Sequence, residues 1–132
     1  GAEIWLRGGP NEDGGRALAE ALADLAEKAD RPLILVCGML TTKDSSGFLR
    51  AFKGLAQEMI AVPVATSASG RPPLDLAQDA RAAGTPALAA PSIAAALDYL
   101  KARDWPSAPR IVICGSLYLA GEALALDGRA PV

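Results

Sequence analysis

The sequence predicts an α/β fold: a Rossmann-like, mostly parallel sheet with helices on both faces. Three observations predict it. Short apolar runs and amphipathic stretches alternate about every 20–25 residues, the rhythm of successive βα units. Two of the runs, Leu33-Ile34-Leu35-Val36-Cys37 and Ile111-Val112-Ile113-Cys114, are apolar at every position, as a strand covered by helices on both faces requires. Three of the runs also lead directly into glycines, at Gly8, Gly38 and Gly115, where a chain leaving a sheet can turn sharply. With 132 residues, the chain has the length of one domain.

Each element has a local reason. Glu3-Ile4-Trp5-Leu6 reads as a first strand entering the loop Gly8-Gly9-Pro10. Leu18, Leu22 and Leu25 follow at helical spacing, with Ala17, Ala21 and Ala26 filling the stripe. Asn11 or Asp13 suits the cap of that helix, and Lys28 suits its negative end. Arg31-Pro32 breaks the chain before the second strand. Ser45 or Ser46 then caps a helix whose face is Phe48, Leu49, Phe52 and Leu55.

Met59 to Val64 reads as a third strand, in which Pro63 marks an edge or a strand end. Ala65 to Pro73, rich in Ser, Thr, Gly and Pro, reads as the most mobile loop. Leu74, Leu76, Ala77 and Ala80 suggest a short helix closed by Gly84, and Thr85 to Ala89 is at best a short strand. Ser92 caps an amphipathic helix that turns Ile93, Ala96, Leu97 and Leu100 inward. After Pro106 and Pro109, Ile111 to Gly115 form the last strand, and Ser116 opens a final helix from Leu117 to about Ala125. Leu35–Leu40 and Val112–Leu117 share a strand–Cys–Gly–turn form, which two units of one class produce without being a repeat.

Composition narrows the function. Hydrophobic residues make up 51% and charged residues 21%, a globular balance, and 13 bases against 15 acids give a net charge of −2. The charges are scattered, without the basic stripe that tracks phosphates, so nucleic acid is not an expected partner. No apolar run approaches the roughly 20 residues of a membrane span, and no signal peptide is evident. Two cysteines suit a reducing, cytoplasmic setting. There is no histidine, which excludes Ser-His-Asp and Cys-His nucleophile systems and His-based metal sites.

Ligands of open α/β sheets gather at the carboxyl ends of the strands, which selects three loops. Gly8 to Gly15 lacks both the Lys-Ser/Thr of a P-loop and the dinucleotide glycine spacing, and a turn capped by Asn11 explains it as well as a ligand does. Gly38 to Ser46 carries Lys43 and Asp44, which alone read as a surface ion pair. In Gly115 to Tyr118, Ser116 stands at a helix start beside Tyr118, where capping and core packing are equally good explanations. Cys37 and Cys114 read as small buried hydrophobes whose thiols are close if their strands are neighbours.

Taken in order, these landmarks resemble the C-terminal domain of folylpolyglutamate synthase, including the bifunctional dihydrofolate synthase form, in the Mur ligase superfamily. They are Ile4-Trp5-Leu6 before a Gly-rich turn with Asn11, the helix Ala17–Leu22, Val36-Cys37-Gly38-Met39-Leu40 before Lys43-Asp44, and Cys114-Gly115-Ser116-Leu117-Tyr118-Leu119-Ala120-Gly121-Glu122. The last stretch is the most specific. The resemblance covers residues 1–132 as one domain. It implies an ATP-dependent ligase of folate biosynthesis and one-carbon metabolism, adding L-glutamate to a folate or dihydropteroate carboxylate through an acyl phosphate.

On this resemblance the P-loop and the Mg²⁺ ligands belong to a preceding N-terminal ATPase domain, the partner of this one. ATP and Mg²⁺ serve the intact enzyme, no cofactor is held tightly here, and the isolated domain is inactive. Asn11, Lys43 and Asp44 fall at nucleotide-site positions, and Ser116, with Tyr118 beside it, falls where glutamate is recognised. The family's turn reads Asp-Gly-Ala/Gly-His-Asn-Pro, and here Arg7 stands at its acid and Pro10 at its histidine. Those two substitutions suit a second reading, a stand-alone, degenerate or engineered flavodoxin-like binding or scaffold domain without catalysis.

Overall fold

The computed structural model describes residues 3–6, 16, 19–24, 31–40, 45–64 and 70–115. In chain order these form β1 (Glu3–Leu6), α1 (residues 19–24), β2 (Leu33–Gly38), α2 (Ser45–Arg50), β3 (Glu58–Ala61), α3 (Pro73–Ala82), β4 (Ala87–Ala89), α4 (Ile93–Lys101) and β5 (Arg110–Gly115). The five strands make one sheet in the order β1-β5-β2-β3-β4, and all four pairings are parallel. The expected α/β class is therefore observed, with a fully parallel ladder among the described strands.

Crossover handedness explains where the helices lie. The chain moves in one direction across the sheet from β1 to β2, β3 and β4, then reverses to insert β5 between β1 and β2. Parallel crossovers are almost always right-handed, so the first three helices must share one face and the fourth must take the other. The core divides accordingly. Ala19 and Leu22 of α1, Phe48 and Leu49 of α2, Phe52 beyond it, and Leu76, Ala77 and Ala80 of α3 pack with Leu33, Leu35, Cys37, Met59, Ala61, Val112 and Cys114. On the opposite face, Ile93, Ala96, Leu97 and Leu100 of α4 pack with Ile34, Val36, Ile60, Ile111 and Ile113. Alternate residues of β2 and β5 thus serve opposite cores, which is why both runs are apolar throughout. The Phe48 and Phe52 rings sit 5.4 Å apart at 51°.

Local chemistry sets the ends. β3 stops at Ala61, two residues before Pro63, and lies between β2 and β4; the proline marks a strand end, not an edge. Ser92 caps α4 by accepting a hydrogen bond from the Ala95 amide at 3.0 Å. At the end of α3, Gly84 adopts φ of 101°, with its N–H on the Arg81 carbonyl and the Thr85 N–H on the Ala80 carbonyl. Those two bonds are a Schellman cap, which needs a left-handed residue at this position. The Thr85 hydroxyl beside it is buried without a hydrogen-bond partner.

Two inward expectations fail for a geometric reason. Ala21 is exposed, because it lies about 100° around the helix from Leu22. Leu74 is 68% exposed, being two residues, or about 200°, from Leu76. Ala17, Leu18, Leu25, Ala26 and the helix expected after Ser116 lie outside the described residues.

The outer edge of β4 is guarded. Pro86 offers its carbonyl to Met59 of β3, so the next carbonyl, Ala87, points away from the sheet. Arg81 of α3 covers it with Nε and Nη2 at 3.1 and 2.7 Å. No helix of the described residues is long and apolar enough to cross a membrane.

Three measurements of urea unfolding check these assignments. Gly84→Ala should lose about 1–2 kcal/mol to left-handed strain. Its new Cβ would also meet the Lys53 stem at 2.9 Å, but that stem is exposed and flexible, so adding Lys53→Ala should recover only a small part. Ser92→Ala should cost about 1 kcal/mol. Thr85→Val, which removes an unpartnered buried hydroxyl, should be neutral or stabilising.

Candidate functional site at the strand tips

The insertion of β5 brings three candidate loops to one place. β1, β5 and β2 are consecutive strands running the same way, with Leu6 opposite Ile113 and Gly38 opposite Gly115. Neighbouring strands lie about 4.8 Å apart, so the three tips fall within roughly 10 Å at one end of the sheet. The expected site residues follow directly in sequence: Arg7, Pro10 and Asn11 after β1, Lys43 and Asp44 after β2, and Ser116 and Tyr118 after β5. All seven lie outside the described residues, so what the structure brings together is the set of strand ends from which they depart.

A fourth segment reaches the same end, and sequence spacing gave no hint of it. Gly70 forms an antiparallel bridge with Leu40, and the Arg71 N–H donates to the Met39 carbonyl at 2.7 Å. Gly70 and Arg71, inside the stretch expected to be a mobile loop, are therefore tied to the exit of β2. The Arg71 side chain continues the tie. Its Nε and Nη2 bind the two carboxylate oxygens of Asp79 on α3 at 2.6 and 3.1 Å, a bidentate geometry that fixes the guanidinium plane. The Asp79 hydrogen bond holds the Arg71 guanidinium above its ordinary range, against a smaller opposing effect of burial. A third of the Arg71 side chain remains exposed, so this pair steers the chain more than it stabilises it.

Beneath the tips lie the two cysteines. Cys37 and Cys114 stand opposite each other in the β2–β5 register, both free and fully buried. The strands sharing the strand–Cys–Gly form are thus direct neighbours. Hydrogen-bonding contact with Cys37, and then burial, push the Cys114 thiol well above its usual range.

Cavities among the described residues lie elsewhere, one of about 490 Å³ at the amino ends of the strands, lined by Pro32, Gly54, Gln57, Gly84 and Pro106. A second, of about 460 Å³, runs between α1 and α2, lined by Arg16, Glu20, Arg50 and small residues. Another of about 380 Å³ lies beside the end of α4, where Arg103 stacks 4.4 Å from the Trp105 ring and binds Glu58 at 2.6 Å. None of these borders the carboxyl ends of β1, β5 and β2. Among the described residues no group of three or more Cys, Asp or Glu side chains could hold a metal ion.

Comparison with known proteins agrees with the fold. No family model and no curated protein sequence matches the chain. Among solved structures, 98% of it matches Mycobacterium tuberculosis folylpolyglutamate synthase complexed with ADP, at a TM-score of 0.79 and 26% identity. The bifunctional folylpolyglutamate synthase/dihydrofolate synthase of Yersinia pestis, complexed with AMPPNP and Mn, matches 92% at 0.73 and 20% identity. Thermotoga maritima folylpolyglutamate synthase matches 92% at 0.68 and 22% identity. The chain spans only 30%, 27% and 27% of those proteins, respectively. It is similar to their C-terminal domain and shares its fold.

The raised Cys114 value has a consequence for stability. Below about pH 8.5 the thiol is protonated in both folded and unfolded chains. Above that, the unfolded thiol ionises first and draws the equilibrium toward unfolding, so stability falls as pH rises. The urea midpoint should decline between pH 8 and 10, and Cys114→Ala should show a shallower decline whatever its stability at pH 7.

Proposed function

We propose that this chain is the C-terminal domain of a cytoplasmic ATP-dependent amide ligase, one that adds L-glutamate to a folate or dihydropteroate carboxylate through an acyl phosphate. In this reading residues 1–132 are a single domain, and its strand tips form one wall of a cleft. The P-loop and metal ligands belong to a preceding ATPase domain, whose magnesium would neutralise phosphate charge. The observation that carries the reading is the juxtaposition of β1, β5 and β2, since these three strands lead into the segments that resemble the family's site. The 26% identity to a synthase complexed with ADP supports it over nearly the full chain.

Roles follow from side-chain chemistry. Lys43 is a point charge suited to a phosphate, Asp44 an acceptor for ribose or amine protons, and Asn11 both donor and acceptor. Ser116, with one hydroxyl donor, and Tyr118 beside it suit the glutamate carboxylate. Closure of the ATPase domain over these groups would exclude water from a reactive acyl phosphate, which hydrolysis would otherwise destroy. Arg7 and Pro10 weaken the nucleotide part of the site. Arg7 accepts no hydrogen bond from a ribose hydroxyl, and Pro10 has neither donor nor ring nitrogens. That departure favours the second reading, a flavodoxin-like binding or scaffold domain with no catalysis.

Three experiments separate the two. The coding sequence ahead of Gly1 should carry a Gly-rich loop ending Gly-Lys-Ser/Thr; a gene without one supports the second reading. Calorimetric titration of the chain with ATP and Mg²⁺ should give weak or undetectable binding, and combining Arg7→Asp with Pro10→His should strengthen it. Micromolar binding by the unaltered chain would show that the substituted turn is competent. In the full-length enzyme, Ser116→Ala should raise KM for glutamate by roughly tenfold, the loss of one hydrogen bond to a charged group.

A further inference from the structure

Cys37 and Cys114 have no part in the proposed ligase chemistry, yet among the described residues they are the nucleophilic side chains that the fold sets face to face. They are direct register partners on adjacent parallel strands. Their side chains fall in the same core, on the α1–α3 face, and both are free thiols. Each lies one residue before the last pair of the β2–β5 ladder, Gly38 opposite Gly115. The spacing of neighbouring strands, about 4.8 Å, lies within the Cα separation of roughly 4.4–6.8 Å that a disulfide spans.

We propose that Cys37 and Cys114 are a reversible disulfide site, a covalent latch between β2 and β5 directly below the strand tips. The surroundings favour this bond over capture of a thiophilic metal ion. A metal needs two thiolates, and the apolar core around the pair opposes ionisation, whereas a disulfide is neutral. Access comes from fraying of the ladder at its last pair, the kind of local opening that strand ends undergo well below the free energy of global unfolding.

The co-reactant is a small-molecule disulfide. In the frayed state one cysteine, as thiolate, attacks a sulfur of that disulfide and expels one small thiolate, leaving a mixed disulfide. The second cysteine loses its proton and attacks the protein sulfur of the mixed disulfide, expelling the second small thiolate. Two protein S–H bonds become one S–S bond, one small disulfide becomes two thiols, and the two protons end on those thiols. The second step is intramolecular between residues already opposed, so the mixed disulfide should not accumulate.

The test uses the folded chain in glutathione buffers of graded reduced-to-oxidised ratio, with intact mass, peptide mapping and far-UV circular dichroism. The expected result is a species lighter by two hydrogen masses, linked Cys37 to Cys114, with an unchanged far-UV spectrum and reversal by dithiothreitol. Closing so long a loop should raise Tm by at least about 5 °C. Cys114→Ser should lose no hydrogen mass and should leave Cys37 reduced or glutathione-bound. The proposal is overturned if the folded chain accumulates glutathione adducts, links two chains together, or stays reduced in fully oxidised glutathione. A link that forms only above the urea unfolding midpoint overturns it as well. None of these outcomes depends on ligase activity, so the latch and the ligase reading stand or fall separately.

Discussion

β5 is the shared partner on which half of the sheet depends. It pairs on one side with Glu3–Leu6 and on the other with Leu33–Gly38, so β1 and β2 are held at a fixed separation only through it. β5 is also the last described strand in sequence. The ladder that fixes β1 therefore joins residues more than 100 positions apart, and such non-local pairing makes loop-closure entropy due before any reward arrives. β2, β3 and β4 form successive neighbours through short crossovers and can assemble first. The two pieces meet when Ile111 and Ile113 enter the α4 face while Val112 and Cys114 enter the other. One strand thus closes both cores and completes the end of the sheet where the candidate loops begin.

Much of this fold is legible in the sequence, for reasons that can be named. β2 and the Ile111–Cys114 part of β5 announce themselves because a strand covered on both faces is apolar at nearly every position, the buried Arg110 at the start of β5 being the exception. α4 is legible from its serine cap and a four-residue apolar stripe, all of which is buried. Gly84 marks the end of α3 because a left-handed cap admits little else. Strand order is not legible, since no local pattern says that the fifth strand falls between the first and second. The Arg71–Asp79 tie escapes for the same reason: its partners belong to a loop and a helix and meet only after the loop folds back on β2. Leu74 and Ala21 mislead because hydrophobicity alone does not fix a residue's angle around a short helix.

The candidate site is legible to a different degree. That three glycine-ended strands would present loops follows from general rules of open sheets, and the topology groups their tips. The roles of Asn11, Lys43, Asp44, Ser116 and Tyr118 came from resemblance, since isolated hydroxyls and ion pairs in turns carry almost no signal of their own. Among the described residues the hollows sit between helices, at the end of α4 and at the amino ends of the strands. Concavity among the described residues is therefore no guide to the candidate loops.

The guanidinium of Arg81 over the outward carbonyl of Ala87 bears on behaviour at high concentration. An unshielded outer strand invites a second molecule to add its own backbone, and sheets growing this way lead to fibrils. Here a cation occupies the outward carbonyl of Ala87, one of the acceptors an incoming strand would use, and that strand would have to displace two hydrogen bonds and cover a charge. The short β4 and this cover together disfavour intermolecular pairing at that border, even while Leu88 remains partly open to solvent.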